Sequence, residues 1–381
     1  MLSSIKFTSS RTNRSYFSEW WRTIDRLGLT LLLLSIASGL ILSLAASPAA
    51  SARLGLDDPF YFFFRQLVFV TLGLSGAFFI SSLSHNNARR IGVLVLLGAL
   101  LLLISLPFIG YEVKGANRWI RLGSLSLQPS EFVKPAFIVF AAWIFSSVKS
   151  NNSIQAGLIV TLIWLLIISL LLGQPDVGQA FLLTVCFAAV CFFGGISIRG
   201  TMTFVLVIMG LVSLAYLKLN YFRVRIEKFL SPSTSDTYQI DKAIEAISNG
   251  GFLGRGPGEG AVKYSLPDGH TDYIFAVTVE EFGYLISTFL IILLGSFVLR
   301  GFRNAVRLND YFSQLAVAGL ATMIGVQLLI NLFVNLNMMP SKGMTLPFIS
   351  YGGSSMLALC FAAGLILSFT RKRPGAYGYG E

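Results

Sequence analysis

Asp272 is the residue in this chain best placed for acid–base chemistry. It ends the polar stretch Leu266-Pro267-Asp268-Gly269-His270-Thr271 and begins an apolar run, 272–299. A carboxylate at such a boundary is wet yet partly desolvated, the setting in which a general base is tuned. Thr271 and Asp272 also suit the N-cap and first-turn acid of a helix, and on the residues alone that structural role is the more frequent one.

A second group is cationic. Arg118, Arg121 and Lys134 fall between the third and fourth apolar runs, and Arg223, Arg225, Arg255 and Lys263 fall in a long polar stretch, 218–271. Guanidinium forks match phosphate oxygens bidentately and lysine supplies a point charge, so these bases could hold an anionic leaving group. Each could equally snorkel to a lipid phosphate. Lys134 stands apart because it follows Ser130-Glu131 into an apolar run, where either Glu131 or a substrate must neutralise it. Glu280 and Glu281 lie more than two turns inside the run that starts at Asp272. Buried carboxylates there are functional candidates, with helix-to-helix hydrogen bonding the preferred reading for Glu281, and their helical offset sends them to different faces.

Other chemistries find no support. The histidines, His85 and His270, are far apart, and no Cys/His cluster has metal-ligand spacing. Cys186, Cys191 and Cys360 all lie in apolar stretches, an odd count that gives no disulfide framework. The glycine row Gly254-Arg255-Gly256-Pro257-Gly258-Glu259-Gly260 lacks the Lys-Ser/Thr ending of a nucleotide loop. It either brings backbone amides close to a sugar or phosphate or simply turns.

The elements that must position these residues cross a membrane. The 381 residues are 54% hydrophobic and 12% charged, with a mean hydropathy of +0.72. About 20 apolar residues span a bilayer, and ten runs qualify, near 27–46, 61–83, 91–109, 132–148, 156–172, 177–195, 200–217, 272–299, 313–336 and 350–369. The expectation is an all-α polytopic protein. A tail, 1–26, leads to seven spans within 27–217, a large loop, 218–271, three spans within 272–370, and a second tail, 371–381. Arg11, Arg14, Arg22 and Arg26 at one end and Arg371, Lys372 and Arg373 at the other place both termini in the cytoplasm. The net charge of +11 is then mostly topological rather than a sign of nucleic-acid binding. Lys114, Arg118, Arg121 and Lys134 crowd an expected external segment against that rule, which an anionic ligand outside would explain. Within the large loop, Asp236 and Gln239 resemble a capping box, and Tyr238, Ile240, Ala243, Ile244 and Ile247 have helical spacing up to Asn249-Gly250-Gly251. The aromatic and basic stretch 221–229 suits the headgroup boundary.

Four blocks resemble the SEDS (shape, elongation, division, sporulation) family of peptidoglycan glycosyltransferases. They are Asn117-Arg118-Trp119-Ile120 through Gln128-Pro129-Ser130-Glu131-Phe132-Val133-Lys134; Gln174-Pro175-Asp176-Val177-Gly178; Tyr238-Gln239 through the glycine row and Leu266 to Glu281-Phe282-Gly283; and Pro340-Ser341-Lys342-Gly343 through Leu346-Pro347-Phe348-Ile349-Ser350-Tyr351-Gly352-Gly353-Ser354-Ser355. The glycine row is more similar to the division branch than to the elongation branch. Gln174 departs from the family, which usually has an acid before Pro-Asp.

The resemblance implies that lipid II is polymerised into glycan strands at the septum by a single inverting displacement, with undecaprenyl pyrophosphate departing. It assigns Asp272 as the catalytic base, against the capping role. It makes Arg118, Arg121, Lys134, Arg223, Arg255, Lys263, Lys342 and Ser354 candidates for substrate binding, with Glu131, Asp176, Gln239, His270 and Glu280 as further candidates. Ser350 and Tyr351 also stand near the expected sugar site, whereas Gly352-Gly353 could serve only close helix packing. It implies an inner-membrane location, a class B penicillin-binding transpeptidase and other division proteins as partners, and a divalent cation, Mg or Mn, as a possible aid at the pyrophosphate. An elongation-type polymerase, a lipid II flippase and a non-catalytic scaffold are the competing functions. The scarcity of ionisable residues inside the spans favours the enzyme over the flippase.

Overall fold

The computed structural model describes residues 16–113, 116–123, 125–147, 153–195, 237–340 and 343–372, with scattered helical positions between Gly200 and Glu227. Most of the expected seventh span, most of 221–229, and Asp236, Lys114, Arg225 and Lys342 lie outside the described residues.

The chain is an all-α polytopic membrane protein carrying one small sheet. A short amphipathic helix, α1 (Tyr16–Thr23), precedes α2 (Arg26–Arg53), α3 (Tyr61–Ser82) and α4 (His85–Ile109). Strands β1 (Tyr111–Val113), β2 (Ala116–Leu122) and β3 (Leu125–Leu127) then lead to α5 (Pro129–Ser147), α6 (Ser153–Gly173) and α7 (Val177–Phe193). Within the large loop lies α8 (Tyr238–Gly250), and after it come α9 (Ile274–Arg307), α10 (Tyr311–Asn335) and α11 (Gly353–Phe369). Among the described residues, seven helices are long and apolar enough to cross a membrane, and α7 and α11 are shorter apolar helices. Of the long helices, α10 and α5 are the most buried, while α4 and α6 turn most of their surface outward.

The sheet was not expected. Alternation in Asn117-Arg118-Trp119-Ile120-Arg121-Leu122 is short, but antiparallel pairing sets Tyr111 opposite Trp119 and Ile120 opposite Leu127. This closes the gap between α4 and α5 and turns Arg118 inward.

Polar ties concentrate at the face that holds the described ends. Arg371 donates from Nε to Thr23 Oγ1 (2.9 Å) and from Nη1 to the Ser82 carbonyl (2.9 Å), and Lys372 N donates to the Thr23 carbonyl (2.7 Å). Asp25, just before α2, receives both Arg300 Nε (2.9 Å) and Nη2 (2.8 Å), with Asn304 Nδ2 at 2.7 Å. Burial alone would raise its pKa, but these bonds and the Arg300 charge together hold the carboxyl below its usual range.

α9 is one element only in name. Gly283 sits at φ 75°, ψ 178°, a region open essentially to glycine alone, and the helix breaks there. The freed carbonyls of Glu280 and Glu281 accept from Arg255 N and Gly256 N (both 2.9 Å), and Tyr284 N and Leu285 N donate to the carbonyls of Gly251 (3.0 Å) and Phe252 (3.3 Å). The loop after α8 is thereby laced into the break, and these four bonds satisfy peptide groups that the interrupted helix frees in apolar surroundings. A Cβ added at Gly254 would lie 2.2 Å from the Glu281 carbonyl oxygen, so only glycine permits this approach. Glu280 and Glu281 precede the break in regular helix, so their expected offset stands, and the loop wraps far enough to meet both: Glu280 accepts from Val262 N (2.8 Å) and Lys263 N (3.1 Å), and Glu281 from Gly258 N (3.0 Å) and Lys263 Nζ (2.5 Å).

Candidate active site

Asp272 is placed by a turn in which the carbonyls of Asp268, His270, Thr271 and Asp272 are held. Asp268 adopts φ 53°, a left-handed conformation that Asp tolerates, and its carbonyl accepts from Thr271 N (3.1 Å), Tyr273 N (3.2 Å) and Thr271 Oγ1 (3.1 Å). The peptides of residues 270–272 point their oxygens at donors from other segments. His270 O accepts from Tyr351 N (3.0 Å), Thr271 O from Ser350 Oγ (2.6 Å), and Asp272 O from Nδ2 of both Asn331 (2.9 Å) and Asn335 (3.0 Å). Neither Thr271 nor Asp272 occupies the N-cap position of the helix. The N-cap of α9 is Tyr273, without a side-chain cap bond, because the chain does not enter helical geometry until Ile274.

The Asp272 side chain is half-buried and lines a cavity of about 500 Å³ that opens on the face opposite Thr23 and Lys372. Its walls come from helices, the small sheet and loops. Arg65 and Phe69 enter from α3, Arg118 and Trp119 from β2, Glu131 from α5, Gln179 from α7 and Gln327 from α10. The segment 343–345 closes against the carboxylate, since a Cβ at Gly343 would lie 3.5 Å from Asp272 Oδ2. Ser354 also lines the cavity, its Oγ accepting from Gln128 N (2.9 Å) and donating to the Ser126 carbonyl (3.2 Å).

One wall carries a buried polar chain. Lys134 Nζ lies 2.8 Å from Glu131 Oε2, so Glu131 neutralises the lysine that enters the apolar run. Glu131 Oε1 accepts from Gln179 Nε2 (2.5 Å). Asp176, before α7, accepts from Gln128 Nε2 (3.3 Å) and Gln179 N (3.5 Å); burial pushes its carboxyl above the usual range, opposed by the charge of Arg118. Arg118 donates from Nε to the Gln174 carbonyl (2.9 Å) and from Nη2 to the Pro175 carbonyl, so part of its guanidinium closes the end of α6 while the side chain still lines the cavity.

The remaining candidates divide. Gln239 lines both this cavity and a smaller one of about 260 Å³, shared with Arg53, Lys263 and His270. His270 packs in tilted contact with the rings of Phe62 (centroids 4.4 Å apart) and Tyr351 (5.6 Å). Lys263 does not stand ready for phosphate: its Nζ meets Glu281 Oε1 at 2.5 Å and the carbonyls of Gly258 (3.0 Å) and Ala45 (3.2 Å). Glu280 accepts from Val262 N (2.8 Å) and Lys263 N (3.1 Å), fully buried and away from the cavity walls. Arg121 is exposed over the Tyr111 ring (5.0 Å), Arg255 is exposed on the loop, and Arg223 is exposed and pairs with Glu227 (2.7 Å). None of these three lines either cavity. Gly353 does serve close packing, as a Cβ there would strike the Phe69 ring at 2.5 Å.

Several cavity residues went unread in the sequence: Arg65, Gln128, Gln179 and, on α10, Gln327, with Asn331 one turn on beneath the Asp272 turn. For α10 a signal existed, because Gln327, Asn331 and Asn335 repeat every four residues in an otherwise apolar helix. Among the described residues, no group of three or more His, Cys, Asp or Glu is gathered into an all-protein metal site.

Fold and site define a polytopic membrane protein with an acid facing a polar, partly cationic cavity at one membrane face. The chain belongs to the cell cycle protein family of FtsW, RodA and SpoVE, which it matches over residues 25–374. It is 46% identical over 385 residues to the "Probable peptidoglycan glycosyltransferase FtsW" of Caulobacter vibrioides, covering 99% of this chain and 97% of the relative. It is 34% identical over 356 residues to "Stage V sporulation protein E" of Bacillus subtilis, covering 90% and 95%. In structure it resembles the rod shape determining protein RodA of Thermus thermophilus, with a TM-score of 0.69 at 28% identity over 92% of this chain and 97% of that one. It also resembles a chain from a structure described as "Structural coordination of polymerization and crosslinking by a peptidoglycan synthase complex", with a TM-score of 0.74 at 28% identity over 91% and 97%.

Proposed function

We propose that this protein is a peptidoglycan glycosyltransferase that polymerises lipid II at the division septum, with both termini in the cytoplasm and the Asp272 cavity facing outward. The carrying observation is that the Asp272 carboxylate lines a cavity shared with Arg118 and open at a membrane face, where an amphiphilic substrate can present a polar head while its isoprenoid stays in lipid.

Asp272 takes the proton from the 4-hydroxyl of the incoming sugar as that oxygen attacks the anomeric carbon of the growing strand. The bond from that carbon to the pyrophosphate breaks on the opposite side, so an alpha-linked donor yields a beta link. Charge grows on the departing diphosphate, and the cationic wall, with Arg118 foremost, stabilises it in a site of reduced dielectric. The pinned carbonyls of residues 270–272 keep the base in place, which lowers the reorganisation needed at the moment of transfer. The partner is a class B penicillin-binding transpeptidase that cross-links the emerging strands.

The test combines the purified protein, a partner transpeptidase and labelled lipid II. Wild type yields glycan ladders and Asp272→Ala yields none; ladders of equal yield from both would reject Asp272 as the base.

A further inference from the structure

Gln327, Asn331 and Asn335 lie on one face of α10, one turn apart, at 2%, 1% and 0% exposure. Carboxamides are costly to bury in apolar surroundings unless their donors and acceptors are used, and these are put to a common task. Gln327 Nε2 donates to the Thr345 carbonyl (3.1 Å) and Oγ1 (3.2 Å). Asn331 Nδ2 bridges the carbonyls of Met344 (2.7 Å) and Asp272 (2.9 Å). Asn335 Nδ2 donates to the Asp272 carbonyl (3.0 Å) while its Oδ1 accepts from Ala276 N (3.1 Å).

The last pair is unusual in what it spans. An α-helix joins each carbonyl to the N–H four residues on, so Asp272 O and Ala276 N are the atoms that the first bond of a helix begun one residue earlier would join. Here the Asn335 carboxamide stands between them, mimicking a peptide on both sides. The following bond, Val277 N to Tyr273 O, is direct at 3.3 Å. The first turn of α9 is therefore wedged open by a side chain from another helix at the residue whose carboxylate faces the cavity.

We propose that Asn335, supported by Asn331, is a positioning residue for glycosyl transfer: it stops α9 from winding through Asp272 and so holds that carboxylate toward the acceptor hydroxyl. The inference rests on Asp272 being the base, and it adds that the base is aimed from α10. Asn335→Asp keeps the shape and the acceptor for Ala276 N but replaces the donor to Asp272 O by a lone pair. Asn335→Leu keeps the bulk and removes both bonds, which lets the direct helical bond form.

The readout is kcat and KM for labelled lipid II, with the partner transpeptidase present, beside thermal unfolding of each variant. Asn304→Leu is the control for losing a buried amide far from the site. Positioning predicts kcat lower by about 10²-fold in Asn335→Leu with KM within a factor of three, since small misplacements of a reacting group have effects of that order. Asn335→Asp should lose less than Asn335→Leu, because it keeps the acceptor that holds the turn open. Asn304→Leu should lose stability without the kcat change. Wild-type kcat in Asn335→Leu while Asp272→Ala is inactive overturns the positioning role and leaves the base standing. Equal KM and kcat losses that simply follow unfolding also overturn it. Activity in Asp272→Ala rejects the base itself, and the positioning role with it.

Discussion

Lys263 Nζ and Glu281 Oε1 lie 2.5 Å apart with side chains 2% and 0% exposed, although one belongs to the large loop and the other to the middle of α9. The pair fastens the loop to the helix break. Each ion has lost its water, so removing one partner leaves a bare charge whose burial costs far more than the pair gains.

Lys263→Ala is therefore expected to destabilise the protein by about 3–5 kcal/mol. The double variant Lys263→Met with Glu281→Gln should recover most of that loss. Thermal unfolding in detergent micelles checks both, and a double variant no better than the single one would place the main role of Lys263 in its bonds to Gly258 and Ala45.

Gly283→Ala tests the break itself. The backbone conformation costs a non-glycine residue about 1–3 kcal/mol, and the added Cβ would lie 2.4 Å from Gly254 N and Phe252 O. The loop 251–256 should detach, seen as faster proteolysis there and weaker ladder formation. Wild-type resistance would mean that the break tolerates a side chain.

Arg118→Lys separates charge from geometry. An ammonium cannot reproduce the two-armed hold on the Gln174 and Pro175 carbonyls, and hydrogen bonds of charged donors are worth about 1.5–3 kcal/mol each. Loss of stability with a lower kcat is expected, and Arg118→Ala should be worse on both counts. A Lys variant indistinguishable from wild type in unfolding and turnover would remove Arg118 from this account.

Asp25 makes the fold acid-sensitive at the end face. Its carboxyl is held below its ordinary value of 3.8 in the folded protein, so the contribution is complete above that pH and is lost as pH falls through the folded value. Asp25→Asn should unfold at lower temperature than wild type near neutrality, with the gap closing in acid. Unfolding curves recorded across that range check the sign, and a gap that widened in acid would contradict it.

Much of the architecture was legible because lipid imposes a simple code. Apolar runs of the right length became helices, and the amphipathic pattern in the large loop became α8. Asp272 was legible as a boundary acid, yet the residues alone ranked it as a cap, and only the family resemblance reversed that order. What stayed hidden was set by contacts between distant segments. Glu280 and Glu281 meet one loop because residues 258–263 wrap around their helix, a contact between distant segments that periodicity does not register. Lys263 read as a phosphate ligand because its partner lies eighteen residues away in sequence. The sheet between α4 and α5 is built from runs too short for alternation to be decisive. The amides of α10 were visible at four-residue spacing, but their task depended on a turn that the sequence did not place beside them.

The knot made by Thr23, Ser82, Arg371 and Lys372 has a practical corollary. Residues 23 and 372 are neighbours, so a chain spliced there and reopened elsewhere would keep its wiring. Circularly permuted versions, reopened at the exposed turn of Asn309 and Asp310 on the same face as the knot, should insert and fold, offering a place to attach a reporter away from the walls of both cavities.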